Sequence, residues 1–141
     1  MTTSSRPDIR VLLVEPHEKP RLITVPHTLE SLQSLVNGYI QAVYPFRDPI
    51  AIIVDEDGIA HRREPNRLLM DEDGKPYDIL KGTFFITGLT ENDFGSISDE
   101  LAEKYTQKYY YPEVFVRVKT SNGFRLLWFK EEPDPKPRVI L

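Results

Sequence analysis

The chain contains no cysteine among its 141 residues. That absence excludes disulfide staples, thiolate nucleophiles and cysteine-ligated zinc. Long apolar runs are missing too. No stretch approaches the ~18 apolar residues that a membrane span needs, and the opening segment Met1 to Asp8 is polar, without the apolar centre of a signal peptide. A cytoplasmic protein without a membrane anchor is therefore expected. Nor is there an excess of positive charge: 18 Lys and Arg stand against 22 Asp and Glu, for a formal net charge of -4. Phosphates reward clustered cations through counterion release, so nucleic acid is not expected as a partner. Arg62, Arg63 and Arg67 lie close together, but Glu64 sits among them and the acidic runs 55–57 and 71–73 flank them.

What is present suits one domain, because 40% hydrophobic residues suffice for a single core in a chain of this length. Ile9 to Val14 and Arg21 to Val25 are short apolar and β-branched runs on either side of the Pro16 to Pro20 turn, and they read as a hairpin. Leu29, Leu32, Leu35 and Val36 fall at helical spacing, with Thr28 placed to cap the start and Gly38 to end it. Tyr39 to Tyr44 and Ile50 to Val54 read as two further strands, separated by Pro45, Asp48 and Pro49.

The tetrapeptide Asp-Glu-Asp-Gly occurs at 55–58 and again at 71–74, and each copy is a turn signal. Ile79 to Leu89 contains another strand, with Gly82 at its start and Gly88 at its end. Ser98 is placed to cap a second helix whose first turn carries Asp99 and Glu100, the sign the helix dipole favours. Leu101, Tyr105 and Tyr109 mark its buried stripe, and Pro112 closes it. Val114 to Thr120 and Phe124 to Lys130 alternate on either side of Ser121, Asn122 and Gly123, which predicts a C-terminal β-hairpin. Beyond Glu131, Pro133, Pro135 and Pro137 punctuate an extended tail whose end, Val139-Ile140-Leu141, wants a groove.

These elements predict an α+β fold: a small mixed or antiparallel sheet with two short helices and a C-terminal hairpin. The expected division is a flexible N-terminus over 1–8, one domain over 9–131 with its hairpin at 113–130, and a proline-rich tail over 132–141.

Several segments appear in a characteristic order: Ile9 to Glu15, Leu35-Val36-Asn37-Gly38-Tyr39-Ile40, the acidic turn 55–58, Pro65-Asn66-Arg67, Asp73-Gly74, and Ile79-Leu80-Lys81-Gly82-Thr83 leading into Phe84 to Gly88. In this order and spacing, residues 9 to about 111 resemble domain of unknown function 3846, a family of phage, plasmid and mobile-element proteins. The resemblance implies a compact α+β domain in a mobile-element context. It supplies no catalytic residue, and the hairpin and tail from Pro112 onward look like an addition to the family pattern.

No catalytic constellation emerges from the residues themselves. His17, His27 and His61 lack a nucleophile motif and read as ordinary surface histidines. His17 and His27 stand ten residues apart with Pro20 and Pro26 between them, which is not a two-histidine metal helix. Neither acidic tetrapeptide supplies the twelve-residue ligand spacing of an EF-hand, so both read as solvated turns without metal. Gly82 to Gly88 lacks the Lys-Ser or Lys-Thr end of a phosphate loop. Neither a cofactor nor a metal is expected.

One set of residues has the makeup of a polar recognition site: Asn37, Gly38 and Tyr39 with Asn66, Arg67, Gly82 and Thr83. A competing structural explanation exists for each, with Gly38 as a helix cap, Asn66 and Arg67 in a turn after Pro65, and Thr83 at a strand start. A second set, Tyr109, Tyr110, Tyr111, Phe115 and Trp128, offers aromatic anchors for an interface, because a 3.6-residue period cannot bury three consecutive tyrosines on one face; the competing explanation is a core role, with rings inside and hydroxyls at the surface.

The expected function is a non-catalytic binding module of a phage or mobile element. It would act on a host protein or sequester a small ligand, in counter-defence. The alternatives are an enzyme acting on a nucleotide or peptide around Asn66, Arg67 and Thr83, and a structural accessory protein that assembles as a homo-oligomer.

Overall fold

A computed structural model of the chain describes residues 7–58 and 61–141. Most of the polar opening segment, expected to be flexible, lies outside the described residues. Strands β1 (Ile9–Val14) and β2 (Arg21–Val25) form the expected antiparallel hairpin, in a register that sets Ile9 against Val25 and Leu12 against Leu22. Helix α1 (Leu29–Val36) follows, and β3 (Ile40–Val43) and β4 (Ile50–Asp55) form a second antiparallel pair. Next come β5 (Pro65–Met70), β6 (Pro76–Lys81), β7 (Phe84–Leu89), β8 (Phe94–Gly95) and α2 (Asp99–Lys108). The chain closes with β9 (Glu113–Thr120), β10 (Gly123–Lys130) and β11 (Arg138–Val139).

The main sheet runs β2-β1-β7-β4-β3, and β8 takes over the β1 side of β7 at Gly88 and Leu89. All of its pairings are antiparallel. Alternate residues of a strand point to opposite faces, and here both faces are covered. On one face Ile9, Val11, Leu13, Ala51, Ile53 and Phe85 pack against Leu32 and Val36 of α1. On the other, Leu12, Val14, Ile50, Ile52, Phe84 and Ile86 pack against Ala102 and Tyr105 of α2, Tyr109, and Leu69 and Leu80 of the β5–β6 hairpin. Burial on both sides explains why β1 and β4 are nearly continuous aliphatic runs rather than alternating ones.

Both helix starts are as expected. Thr28 Oγ1 accepts from Ser31 N, and Ser98 Oγ accepts from Leu101 N. The end of α1 differs: Asn37 takes the left-handed conformation at φ 56, in place of Gly38. Asparagine tolerates that region, which frees Gly38 for another purpose described below. The buried stripe of α2 passes through Ala102 and Tyr105 to Tyr109, with Leu101 only half-buried.

Three expectations are corrected outside the helices. The segment 79–89, read as containing one strand, belongs to two, because Gly82 turns the chain at φ 74 between β6 and β7. Pro65, Asn66 and Arg67 open strand β5 rather than occupying a turn. The tail, expected to be extended, bends over 132–134 before its end pairs: β11 lies antiparallel to β10 with Val139 opposite Leu127, and Ile140 N donates to Leu126 O. Ile140 and Leu141 border a cavity together with Leu68, Pro76 and Ile79, and Leu141 itself remains exposed.

The C-terminal sheet β11-β10-β9 is locked to the body by one buried carboxylate. Glu113 Oε1 accepts from Leu68 N of β5 and from Trp128 Nε1 of β10, each at 2.7 Å. No helix among the described residues is long and apolar enough to cross a membrane.

Candidate functional site

The second strand pair ends in a carboxylate. After the aliphatic run of β4, Asp55 turns its side chain inward, and the chain reverses through Asp57 and Gly58. Asp55 Oδ1 accepts from Asp57 N at 3.0 Å, while Oδ2 accepts from Arg63 Nε at 3.1 Å and lies 2.6 Å from His61 Nδ1. The carboxylate is 2% exposed. Burial alone would push its proton affinity up, but the hydrogen bonds from His61, from the Asp57 backbone and from Arg63 outweigh it and hold the carboxyl below its ordinary value of 3.8. The tetrapeptide at 55–58 is therefore more than a solvated turn. Its counterpart at 71–74 is simpler: there Asp71 Oδ1 accepts from Asp73 N and Lys75 N.

Arg63 joins this carboxylate to other expected site residues. Its Nη2 donates to Asn37 O at 2.9 Å, and its stem packs over Gly82, where an added Cβ would come within 3.0 Å of it. Gly38 sits so close to Asp55 that a Cβ there would lie 2.7 Å from Oδ1, which is why this position carries glycine although its φ is ordinary. Tyr39 O accepts from Glu56 N at 2.8 Å, fixing the start of β3 beside the turn.

The result is an open groove of about 500 Å³ between the C-terminal half of α1 and the β4–β5 connection, lined by Gln33, Ser34, Asn37, Gly38, Tyr39, Asp57 and His61, with Glu30 at its end. Tyr39 is 68% exposed. The contact between Nδ1 and the Asp55 carboxylate holds the His61 ring in one orientation.

Asn37, Gly38 and Tyr39 thus share one surface, and Gly82 is connected to it through the stem of Arg63. Asn66 and Arg67 are not on it. Asn66 is buried, donating through Nδ2 to Val14 O and Gly82 O. Arg67 is 0% exposed, and its guanidinium donates to Asn66 Oδ1, Glu18 O and Tyr109 O, with Glu113 Oε2 3.8 Å from Nε. A guanidinium so engaged has no face for a ligand. Thr83 is half-buried at the turn between β6 and β7.

The aromatic set also divides. Tyr109 and Trp128 are buried, Tyr109 edge-on to Phe84 with ring centroids 5.7 Å apart. Tyr110, Tyr111 and Phe115 are half-buried, and Lys19 Nζ donates to Tyr110 Oη.

Asp55, His61 and Arg63 were not grouped by sequence reasoning. The available signal was a carboxylate at the end of a buried strand followed by a histidine and an arginine two residues apart. Replacing Asp55 by Asn should cost about 2 kcal/mol at neutral pH, the scale of hydrogen bonds to a charged group that lose their acceptor. The sign follows from the lowered proton affinity. The contribution is fully present above 3.8 and is lost as pH falls through the lower folded-state value, so the gap between wild type and Asp55→Asn in thermal unfolding should close below pH 3.8. A gap that stayed constant into acid would refute the charged role.

No curated protein and no solved structure matches the chain. Residues 9–110 match the family model described as a domain of unknown function (DUF3846), leaving the C-terminal sheet β9 to β11 outside the match. With its elements from β1 through α2 inside that span, the chain belongs to this family.

Proposed function

We propose that the protein is a non-catalytic binding module of a phage or mobile element, acting on a host protein or sequestering a small ligand in counter-defence, and that it engages its target at the groove beside α1. The observation that carries this reading is Tyr39. Its backbone is fixed by the bond from Glu56, yet its ring stands exposed on the lip of the groove rather than in either core cluster. Such a ring supplies rigid contact area at low entropic cost. Asn37, Gln33 and Asp57 place amide and carboxylate groups around it to orient a polar ligand.

Native mass spectrometry of the purified protein, alone and after incubation with bacterial lysate, tests the reading. A retained small molecule or host protein is expected, with retention falling at least tenfold in Tyr39→Ala, which removes an exposed ring and leaves the fold intact. Unchanged retention in that variant would move the binding surface elsewhere. A bare homo-oligomer would favour a structural role.

The Asp55-held His61 favours a second reading, an enzyme acting on a nucleotide or peptide, because a carboxylate-oriented imidazole is suited to general base work. Turnover of a nucleotide or peptide that His61→Ala abolishes, with binding retained, would replace the first reading by this one.

A further inference from the structure

The last strand is joined to the rest of the molecule by a segment that no polar contact holds. Residues 132–137 make no hydrogen bond or ion pair with another described residue, and 133–137 are all exposed. The contacts that hold β11 lie beyond this segment. Leu126 N of β10 donates to Leu141 O, Ile140 N donates to Leu126 O, and the Arg138 guanidinium donates to Gly74 O at 3.2 Å. Val139 stands opposite Leu127, and Ile140 and Leu141 border the cavity with Leu68 and Ile79. All of these partners belong to β10 and to the β5–β6 hairpin, so the seat for β11 is complete without the linker that leads to it.

The linker opposes the closure it makes. Pro133, Pro135 and Pro137 alternate with Glu132, Asp134 and Lys136. Proline fixes its own φ and pushes the residue before it into extended conformations, so each position of the segment favours a straight polyproline path. Yet the chain bends over 132–134 to return β11 against β10. Proline also lacks an N–H, so Pro135 and Pro137 cannot lengthen the ladder, and the pairing covers only Arg138 and Val139. A flexible connection of this length would present its strand to the seat at a millimolar effective concentration, whereas a stiff one that must bend to reach it presents the strand less well.

We propose that β11 is exchanged between two copies of this chain, each seating its segment from Arg138 to Leu141 on β10 of the other to give a two-fold dimer. Identity fixes the occupant: the segment that fits the seat within one molecule fits it in the next with the same bonds. Exchange keeps those contacts and lets 132–137 run straight. Once one strand has crossed, the second crossing is intramolecular, which closes the pair. The crossing strand also carries apolar surface. Val139 shares a face with Val116, Val118 and Leu127, and Val116, Val118 and Val139 are exposed because the opposite face is held inward by Trp128, whose Nε1 donates to Glu113. Each copy thus adds a side chain to an exposed apolar face of its partner, the kind of surface that marks a protein contact. The exchange does not depend on the groove beside α1, and a dimer that retains a ligand there satisfies both readings.

The lack of cysteine makes the test direct. Leu127→Cys and Val139→Cys set two thiols opposite each other across the β10–β11 pairing. The two single variants are unfolded, mixed, refolded together at high concentration and oxidised, and the products are resolved by non-reducing electrophoresis and intact mass. A disulfide-linked heterodimer is expected as the main covalent product, and the double variant should oxidise to a covalent dimer rather than to a closed monomer. The wild-type chain should sediment at twice its mass of 16.4 kDa at the same concentration. Pro133→Gly, Pro135→Gly and Pro137→Gly together free the linker and should raise the dimer dissociation constant at least tenfold. The three prolines are exposed, and circular dichroism should confirm that this variant folds. A wild-type monomer, oxidation of the double variant to a closed monomer, absence of the covalent heterodimer, or an unchanged dissociation constant in the glycine variant would each overturn the proposal.

Discussion

Replacing Arg67 by Ala should lower the stability of the protein by about 3–5 kcal/mol, the range for removing one partner of a buried ion pair. The loss has two parts. Glu113 would remain buried without the cation 3.8 Å from its Oε2, although Leu68 N and Trp128 Nε1 still hold Oε1. Burial already raises the proton affinity of Glu113 despite those two bonds and the Arg67 charge, so removing Arg67 raises it further. In addition, Tyr109 O, Glu18 O and Asn66 Oδ1 each lose a donor. These acceptors lie after α2, in the β1–β2 connection and in β5, so one side chain ties three separate parts of the chain.

Against a total of 5–15 kcal/mol for ordinary domains, the variant should unfold roughly 10 °C lower or more. Thermal unfolding by circular dichroism measures this. The double variant Arg67→Ala with Glu113→Gln should be less destabilised than the sum of the two single changes, because neutralising Glu113 removes the stranded charge. Strict additivity would mean that the pair is not coupled.

The second large effect is expected at Gly88. In β7 it pairs with Ile50 of β4 on one side and Gly95 of β8 on the other. A Cβ built there would lie 2.2 Å from Ser96 O and 2.9 Å from Ser96 C, both backbone atoms. No side-chain rotation relieves such a contact. The segment from β8 to α2 would have to move, yet it is held by Ile97 N donating to Arg10 O, by Arg10 N donating to Ser96 Oγ, and by the burial of Ile97 in the core. Overpacking of this kind costs about 1–3 kcal/mol where side chains yield, and Gly88→Ala should reach or exceed about 3 because backbone must yield. Urea unfolding of the variant checks it. A loss under about 1 kcal/mol would show that the β7–β8 connection shifts freely.

The groove and the Arg67 lock were legible in the sequence to different degrees. Asn37, Gly38 and Tyr39 are consecutive, so their common surface followed from the helix end that contains them. Their link to Asp55, His61 and Arg63 depends on β3 pairing with β4, which brings Ile40 opposite Asp55. Arg67 is the clearest case of a polar residue whose place its neighbours in sequence did not disclose. Arginine after Pro-Asn has the look of an exposed turn, and besides Asn66 Oδ1 its burial rests on acceptors 42 and 49 positions away.

By itself the sequence determined what rests on local chemistry. Ser98 and Thr28 cap their helices through hydroxyls acting three residues on, Ser121 to Gly123 reverse the last hairpin, and aliphatic runs at 9–14 and 50–54 form the buried strands. The α+β class and the family follow from those elements in their order. Tertiary structure alone decided where polar groups go, since burying a charge or amide depends on finding partners from distant segments. It made Arg67 and Glu113 interior, turned Asp55 from a solvated turn residue into the support of His61, and faced the valines of the final hairpin outward because Trp128 on the other side had found Glu113.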